Sequence, residues 1–251
     1  MLSPGVRTYS AQTVGEAQLR HDRILFEQNA LSVLNLLSGI RETSSKTRLV
    51  IAGSCLMYDD CQISPQAEST PFCTKSVYGL SKITGYQLTD LFRNSYNLHI
   101  STAILYNHES SRRQPHFVTR KIMQGLLKVK RGQMQCLELG NLDSVKDWGY
   151  AGDYVRGMWL MAQTDSPRDY ILATGTGHTV EDFVRETANL LGLRNWREAV
   201  KVKDGLTRPV EPVALIGNSQ LAQRELRWTH SLNFRQLIEL MVQQELQGVL
   251  G

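Results

Sequence analysis

Tyr78 and Lys82 stand four positions apart in "SVYGLSK", residues 76–82, an interval that puts a phenol and an ammonium on one face of a helix. A neighbouring ammonium favours the phenolate, so such a pair can exchange a proton with a substrate hydroxyl near neutral pH. The spacing alone is a weak signal: with nine tyrosines and nine lysines in 251 residues, chance supplies roughly a third of one such pair. A second group is basic, with Arg112, Arg113, Arg120 and Lys121 followed by Lys128, Lys130 and Arg131. No aromatics interleave at stacking intervals, so the cluster suits a phosphate-bearing small molecule and not a nucleic acid. An arginine pair on a loop is also an ordinary solvated face. Cys55, Cys61, Cys73 and Cys136 form no CxxC pair and have no histidine at zinc spacing, so they read as reduced structural thiols with no metal.

The elements that must position these groups alternate. Residues 24–42 place Leu25, Leu31, Leu34, Leu37 and Ile40 near a helical period, which predicts an amphipathic helix. "TRLVIAGS" then reads as a buried parallel strand, and a polar loop leads to the helix carrying Tyr78, with Leu80, Ile83, Leu88, Leu91 and Phe92 at helical intervals. "LHISTAILYN" is a second buried strand. Beyond residue 114 follow a basic helix "FVTRKIMQGLLKVKRG", an alternating segment "MQCLELGN", a helix over "DWGYAGDYVRGMWLMAQ" bringing Trp148 and Trp159, and a strand "DYILATG". A helix opened by Thr179, with Glu181 and Asp182 in its first turn, comes next. Two closing helices complete the chain, one capped by Asn218 or Ser219, the other over "NFRQLIELMVQQELQGVL". Helix after strand predicts an α/β fold with a parallel sheet.

The composition fits that fold, with 41% hydrophobic residues and a net charge of +4. No apolar run reaches eighteen residues, and "MLSPGVRTYS" lacks the basic and apolar regions of a signal peptide. The expectation is a cytoplasmic protein with no membrane contact.

Five segments, "AESTPFCTKSVYGLSK", "LYNHESSRRQPHFVTRKI", "LELGNLDSVKDWGYAGDYVRGMWLM", "ILATGTGHTVEDFV" and "TRPVEPVALIGNSQLA", occur in this order. Together they resemble the GDP-mannose 4,6-dehydratase family of extended short-chain dehydrogenases/reductases, from about Ala11 to the end. The resemblance implies a Rossmann-type sheet with a small C-terminal substrate lobe, NADP as cofactor, and conversion of GDP-mannose to GDP-4-keto-6-deoxymannose on the route to GDP-fucose. It divides the chain into 1–113, the C-terminal half of the Rossmann domain, and 114–251, mainly substrate lobe, with 145–175 returning to the sheet. Tyr78 then resembles the catalytic tyrosine, with Lys82 as its partner and Ser54 as a surviving hydroxyl. Gln12, Tyr78, Lys82, His108 and Arg113 fall at cofactor-contacting positions, and Asn107, Val118, Lys121, Lys146, Arg208 and Glu211 fall where the nucleotide sugar is held. A diphosphate needs fixed cations and guanidinium forks, which these residue types supply. Lys146 stands where the family commonly has arginine, a point charge in place of a fork.

Two departures shape the functional expectation. The family carries a Ser-Thr-Ser-Glu run after the strand that matches "TRLVIAG", and its glutamate removes the sugar C5 proton. Here the matching residues are Gly53, Ser54, Cys55 and Leu56, and leucine accepts no proton. General-base catalysis is worth about a hundred- to ten-thousandfold, so dehydration is expected to be impaired. In addition, "SAQTVGEAQL" resembles the loop after the family's fourth strand, so roughly eighty residues bearing the first strand–helix units and the glycine-rich phosphate loop are expected to be missing. That predicts weakened dinucleotide binding and an uncovered sheet edge, for which a second copy or a full-length paralogue is a candidate partner. Two other readings stay open: a non-catalytic nucleotide-sugar-binding or regulatory subunit, and an NADPH-dependent 4-keto-sugar reductase, whose reaction needs no glutamate.

Overall fold

The computed structural model describes residues 16–203 and 214–248. The first apolar stripe becomes two α-helices, α1 (Glu16–Phe26) and α2 (Ser32–Thr43), joined by a π-helical turn over Glu27–Leu31. Side chains compete for carbonyls at this turn, where Asn29 Nδ2 donates to Leu25 O at 2.9 Å and the Ser32 hydroxyl donates to Gln28 O. The turn rotates the stripe. Ala30, Leu37 and Ile40 are buried, whereas Leu31 and Leu36 stay exposed.

β1 (Leu49–Ala52) runs into a 3₁₀ turn at Cys55–Tyr58, and a long loop leads to α3 (Val77–Tyr96). The α3 N-terminus is capped by Ser76, whose hydroxyl accepts from Gly79 N at 3.0 Å, and its C-terminus ends at Asn97 in the left-handed region. β2 (Ile100–Leu105) is buried along its whole length, as a central parallel strand requires. β3 (Asn107–Glu109), α4 (Val118–Lys130), β4 (Leu137–Leu139), β5 (Val145–Tyr150) and α5 (Ala151–Gln163) follow. The chain continues through β6 (Tyr170–Leu172), β7 (Gly177–Thr179), α6 (Val180–Leu191), β8 (Val200–Val202), α7 (Gln220–Leu226) and α8 (Phe234–Leu246).

The first strands form a parallel sheet in the order β1-β2-β6, with Leu49 opposite Ile100 and Ala103 opposite Tyr170. Among the described residues β1 and β6 are its edges. A second sheet has the order β3-β5-β7, its first pair parallel and its second antiparallel, and β4 pairs with β8 in a third. The α/β architecture expected from the alternation is present.

Besides the break in the first helix and the short strands β3, β7 and β8, which the sequence reading does not single out, one longer element departs from it. The segment expected as a single helix from Asp147 begins as strand β5, and the helix starts only at Ala151. Trp148 is therefore a strand residue, buried 5.4 Å from the Phe183 ring, while Trp159 is exposed on α5. Ladder bonds to β3 and β7 and the buried Asp147 carboxylate outweigh the local helical pattern. Of the two cap candidates on α7, Ser219 occupies the cap position but its hydroxyl accepts from the Gln223 side chain at 3.1 Å and not from a backbone N–H, and the Asn218 carboxamide oxygen accepts from Gln220 N at 3.0 Å. Three apolar clusters hold the elements together: Leu37, Phe92 and Ile100 between α2, α3 and β2; Tyr58, Ile104, Ile171 and Trp228 around the sheet; and Ile122, Trp148, Phe183 and Leu237 between α4, α6 and α8.

Candidate active site

α3 places Tyr78 and Lys82 one turn apart at the C-terminal end of β1. Lys82 Nζ donates to Ala52 O at 3.1 Å and sits 5.6 Å from the Tyr78 ring centroid. Ser54 caps the 3₁₀ turn, its hydroxyl accepting from Leu56 N at 3.2 Å, and the same hydroxyl is near enough to favour the ionised Tyr78 phenol. Gly79 makes this approach possible. A Cβ there would lie 2.1 Å from Thr74 Oγ1 and 2.4 Å from Leu56 O, so any side chain would push α3 off the turn. Leu56 is half-buried against the sheet cluster, immediately beside the Ser54–Tyr78 junction.

The electrostatics correct one expectation. Burial pushes the Tyr78 phenol above its usual range; the Ser54 bond and the Arg113 guanidinium oppose this shift, and the Cys55 thiol adds to it. Burial outweighs the pull toward phenolate that the pair's spacing predicts, and the phenol is protonated at neutral pH. Burial also lowers Lys82. The Cys55 thiol is pushed up to about 12, mainly by burial, with the Lys146 charge opposing it.

β3 carries the next residues. Asn107 Nδ2 donates to Asp147 O at 3.1 Å across the β3–β5 ladder. His108 Nδ1 lies 2.8 Å from Tyr106 O, and because a carbonyl only accepts, Nδ1 carries the proton. Burial lowers its pKa, with the Tyr106 bond opposing and Arg113 assisting, so the ring is neutral at neutral pH and Nε2 is its acceptor. Arg113 Nε lies 3.4 Å from Glu109 Oε2, and its guanidinium stacks 3.6 Å over the Phe117 ring. Glu109 is buried and accepts from Thr119 Oγ1 at 2.7 Å; burial raises its pKa against the pull of Arg113 and Thr119.

The basic cluster divides. Arg112 is exposed, but Arg120 turns inward, donating to Ser111 O and, at 3.1 Å, to Arg113 O, and pairing with Glu245 at 3.2 Å. Arg120 is thus committed to the protein and is not available to a phosphate, contrary to the expectation for the cluster. Val118 opens α4 against the α4–α6–α8 core, and Lys121, one turn on, acts on Glu138. Lys146 lies in β5 opposite His178. Its neighbour Asp147 is buried and accepts from Thr174 Oγ1 at 2.6 Å, Thr174 N at 3.0 Å, Gly175 N at 2.9 Å and Gly217 N at 3.3 Å. Burial still raises its pKa.

The structure therefore brings Tyr78, Lys82 and Ser54 into one centre, with Arg113 acting electrostatically on Tyr78 and Lys146 on Cys55. Gln12, Arg208 and Glu211 lie outside the described residues. Sequence reasoning missed Gly79, Glu109 and Asp147. The available signals were a glycine directly after the tyrosine and acidic residues within "NHE" and "KDW". Among the described residues no group of three or more His, Cys, Asp or Glu side chains could hold a metal ion, and no helix is long and apolar enough to cross a membrane.

A profile of the GDP-mannose 4,6 dehydratase family matches residues 11–241. GDP-mannose 4,6 dehydratase 2 of Arabidopsis thaliana is 40% identical over 222 residues, covering 87% of this chain and 59% of the relative. The GDP-mannose 4,6-dehydratase of Vibrio cholerae is 35% identical over 247 residues, covering 87% and 66%. The chain thus spans about three fifths to two thirds of the length of these relatives. In fold, it superimposes on the dTDP-glucose 4,6-dehydratase of Bacillus anthracis, solved with NAD, with a TM-score of 0.79 at 18% identity, covering 89% of this chain and 69% of that one. The architecture is accordingly that of the Rossmann-type dehydratases. With a family profile over nearly its whole length and relatives at this identity, the chain belongs to the GDP-mannose 4,6 dehydratase family.

Proposed function

We propose that this chain binds a GDP-mannose-type nucleotide sugar at the Tyr78–Lys82–Ser54 centre and is impaired in the dehydration step. The observation that carries the reading is the packing of α3 on the 3₁₀ turn, where Gly79 lies against the Leu56 carbonyl and Lys82 Nζ bonds Ala52 O, while the Leu56 side chain is only hydrocarbon. In this reading Tyr78 exchanges a proton with the sugar C4 hydroxyl, Ser54 holds that hydroxyl in line, and Lys82 orients the ribose of a nicotinamide cofactor. Loss of water across C5 and C6 needs a base to take the C5 proton, and the Leu56 side chain has no lone pair to receive it.

The donor set suits a dinucleotide phosphate: an ammonium at Lys82, a guanidinium at Arg113 braced by Glu109 and Phe117, and a neutral imidazole at His108. NADP, when bound, supplies the hydride acceptor. Asn107, Val118, Lys121 and Lys146 would face the nucleotide sugar, and Gln12, Arg208 and Glu211 would complete the two ligand contacts. A second reading, reduction of a 4-keto sugar, draws support from the Tyr78 phenol, which is protonated at neutral pH and so is poised to donate to a carbonyl.

Calorimetric titration with GDP-mannose, followed by prolonged incubation with GDP-mannose and NADP, tests the proposal. Binding without 4-keto-6-deoxy product is the expected result. Absence of binding removes the nucleotide-sugar assignment, and steady product formation removes the claim of impairment.

A further inference from the structure

Arg120 and Glu245 are far apart in sequence, and the proposed chemistry uses neither. Arg120 is 5% exposed, which obliges a permanently charged guanidinium to find partners inside the protein. Its partners lie on two different elements. One terminal nitrogen donates to the carbonyls of Ser111 and Arg113 in the 110–117 loop, and the other pairs with Glu245 Oε2 at 3.2 Å on the last turn of α8. Glu245 Oε1 also accepts from Gln124 Nε2 at 3.0 Å, so its carboxylate bridges two α4 side chains one turn apart. The 110–117 loop is the segment that presents Arg113. Arg120 fixes the Arg113 main chain, and Glu109 and Phe117 fix its guanidinium.

The other end of α8 packs on the β5–β7 strand pair. Phe234, its first residue, stacks on His178 at 3.8 Å with the rings 8° from parallel, and His178 faces Lys146 across the β5–β7 ladder. Glu245 lies eleven helical steps beyond Phe234, about 16 Å along the axis. One rigid rod therefore spans from the strand pair that carries Lys146 to the loop that carries Arg113.

We propose that Arg120 and Glu245 are positioning residues, a buried ion pair through which α8 sets the 110–117 loop and so places Arg113 for phosphate binding. The phosphate half of this statement rests on the proposed contact of Arg113 with the cofactor. The loop-setting half does not.

The test compares Arg120→Lys, Glu245→Gln, Arg113→Ala and the Glu245→Gln/Arg113→Ala double variant by amide hydrogen exchange and by NADP titration. Arg120→Lys keeps the charge but cannot reach both carbonyls and Glu245 together, and Glu245→Gln keeps the shape but loses the charge. Both single variants are expected to speed exchange in residues 110–117 about tenfold and to weaken NADP binding about tenfold, the scale of a charge-assisted bond. β2 and α3 should keep wild-type exchange rates. With Arg113 already replaced by alanine, Glu245→Gln should add no further loss of NADP affinity, because the pair acts through Arg113. Unchanged exchange in 110–117, faster exchange throughout the molecule, or an equal further loss in the Arg113→Ala background would each overturn the proposal. If Arg113→Ala binds NADP as tightly as the wild type, the cofactor assignment of Arg113 fails, and the exchange rates of the loop alone decide whether the pair sets it.

Discussion

At the scale of single residues, the centre is a half-buried phenol on α3 beside a turn that carries the Ser54 hydroxyl and the Leu56 hydrocarbon. In the proposed reading Tyr78 and Ser54 serve proton exchange at a sugar hydroxyl while Leu56 offers no base for proton removal from carbon, which separates the two steps. Tyr78→Phe is expected to lower any C4 redox turnover by about a hundred- to ten-thousandfold while leaving GDP-mannose affinity intact, measured as nicotinamide absorbance in a single turnover alongside calorimetry. The pH profile follows from the phenol. Because burial holds it above the ordinary phenol range, oxidation, which uses the phenolate, should keep rising from neutral into alkaline solution, and reduction, which uses the phenol, should hold its rate to higher pH. A plateau in oxidation near pH 7 would contradict that assignment, the number being about three below the ordinary phenol value. The residue types of this centre are legible in the sequence, since Tyr78, Lys82 and Ser54 stand in recognisable segments. The direction of the Tyr78 shift is not, because it comes from burial created by segments far away in the chain.

At the scale of elements, close approach decides where the centre forms. Gly79 allows α3 to lie against the 3₁₀ turn, and Gly79→Ala places a methyl group 2.4 Å from the Leu56 carbonyl oxygen. That overlap should destabilise the fold by about 1–3 kcal/mol and separate Ser54 from Tyr78, read as a lower melting temperature together with weaker nucleotide-sugar binding. α6 offers a second test. Thr179 and Asp182 form a reciprocal capping box at its N-terminus, and Thr179→Ala should cost about 1 kcal/mol in chemical denaturation. Burial pulls the Asp182 carboxyl upward, but bonds from Thr179 and Arg185 outweigh it, and its pKa lies below the usual range. The capping contribution is therefore fully present above the ordinary carboxylate range and disappears as pH falls through the lowered value. Asp182→Asn should abolish that acid-side dependence. Thr179 as a helix start is visible in the sequence because the cap, the acidic first turn and the apolar period coincide. β5 is not, because "DWGYAGDYV" also satisfies a helical period, and the ladder partners that make it a strand come from residues 107–109 and 177–179.

At the scale of the whole molecule, the parallel β1-β2-β6 sheet is tied to α3 by one buried fork. Arg93 bonds both Asp169 oxygens, at 2.9 and 2.7 Å, and Asp169 also accepts from Thr102 N at 2.6 Å, with both side chains about one-tenth exposed. Arg93→Ala strands that carboxylate and should cost about 3 kcal/mol in denaturant unfolding, without altering the residues that face the substrate. Apart from β5, the short strands β3, β7 and β8 and the break between α1 and α2, the order of helices and strands is legible from hydrophobic periodicity. The division of the strands among three sheets and the inward turn of Arg120 are not, because both depend on contacts between distant segments. All three scales meet in one claim, that the centre keeps its proton-exchanging group and lacks the base for elimination. The most direct measurement compares wild type with Leu56→Glu in saturating GDP-mannose and NADP, following 4-keto-6-deoxy sugar by mass spectrometry. The account predicts no such product from the wild type and detectable product from Leu56→Glu; equal product from both would contradict it.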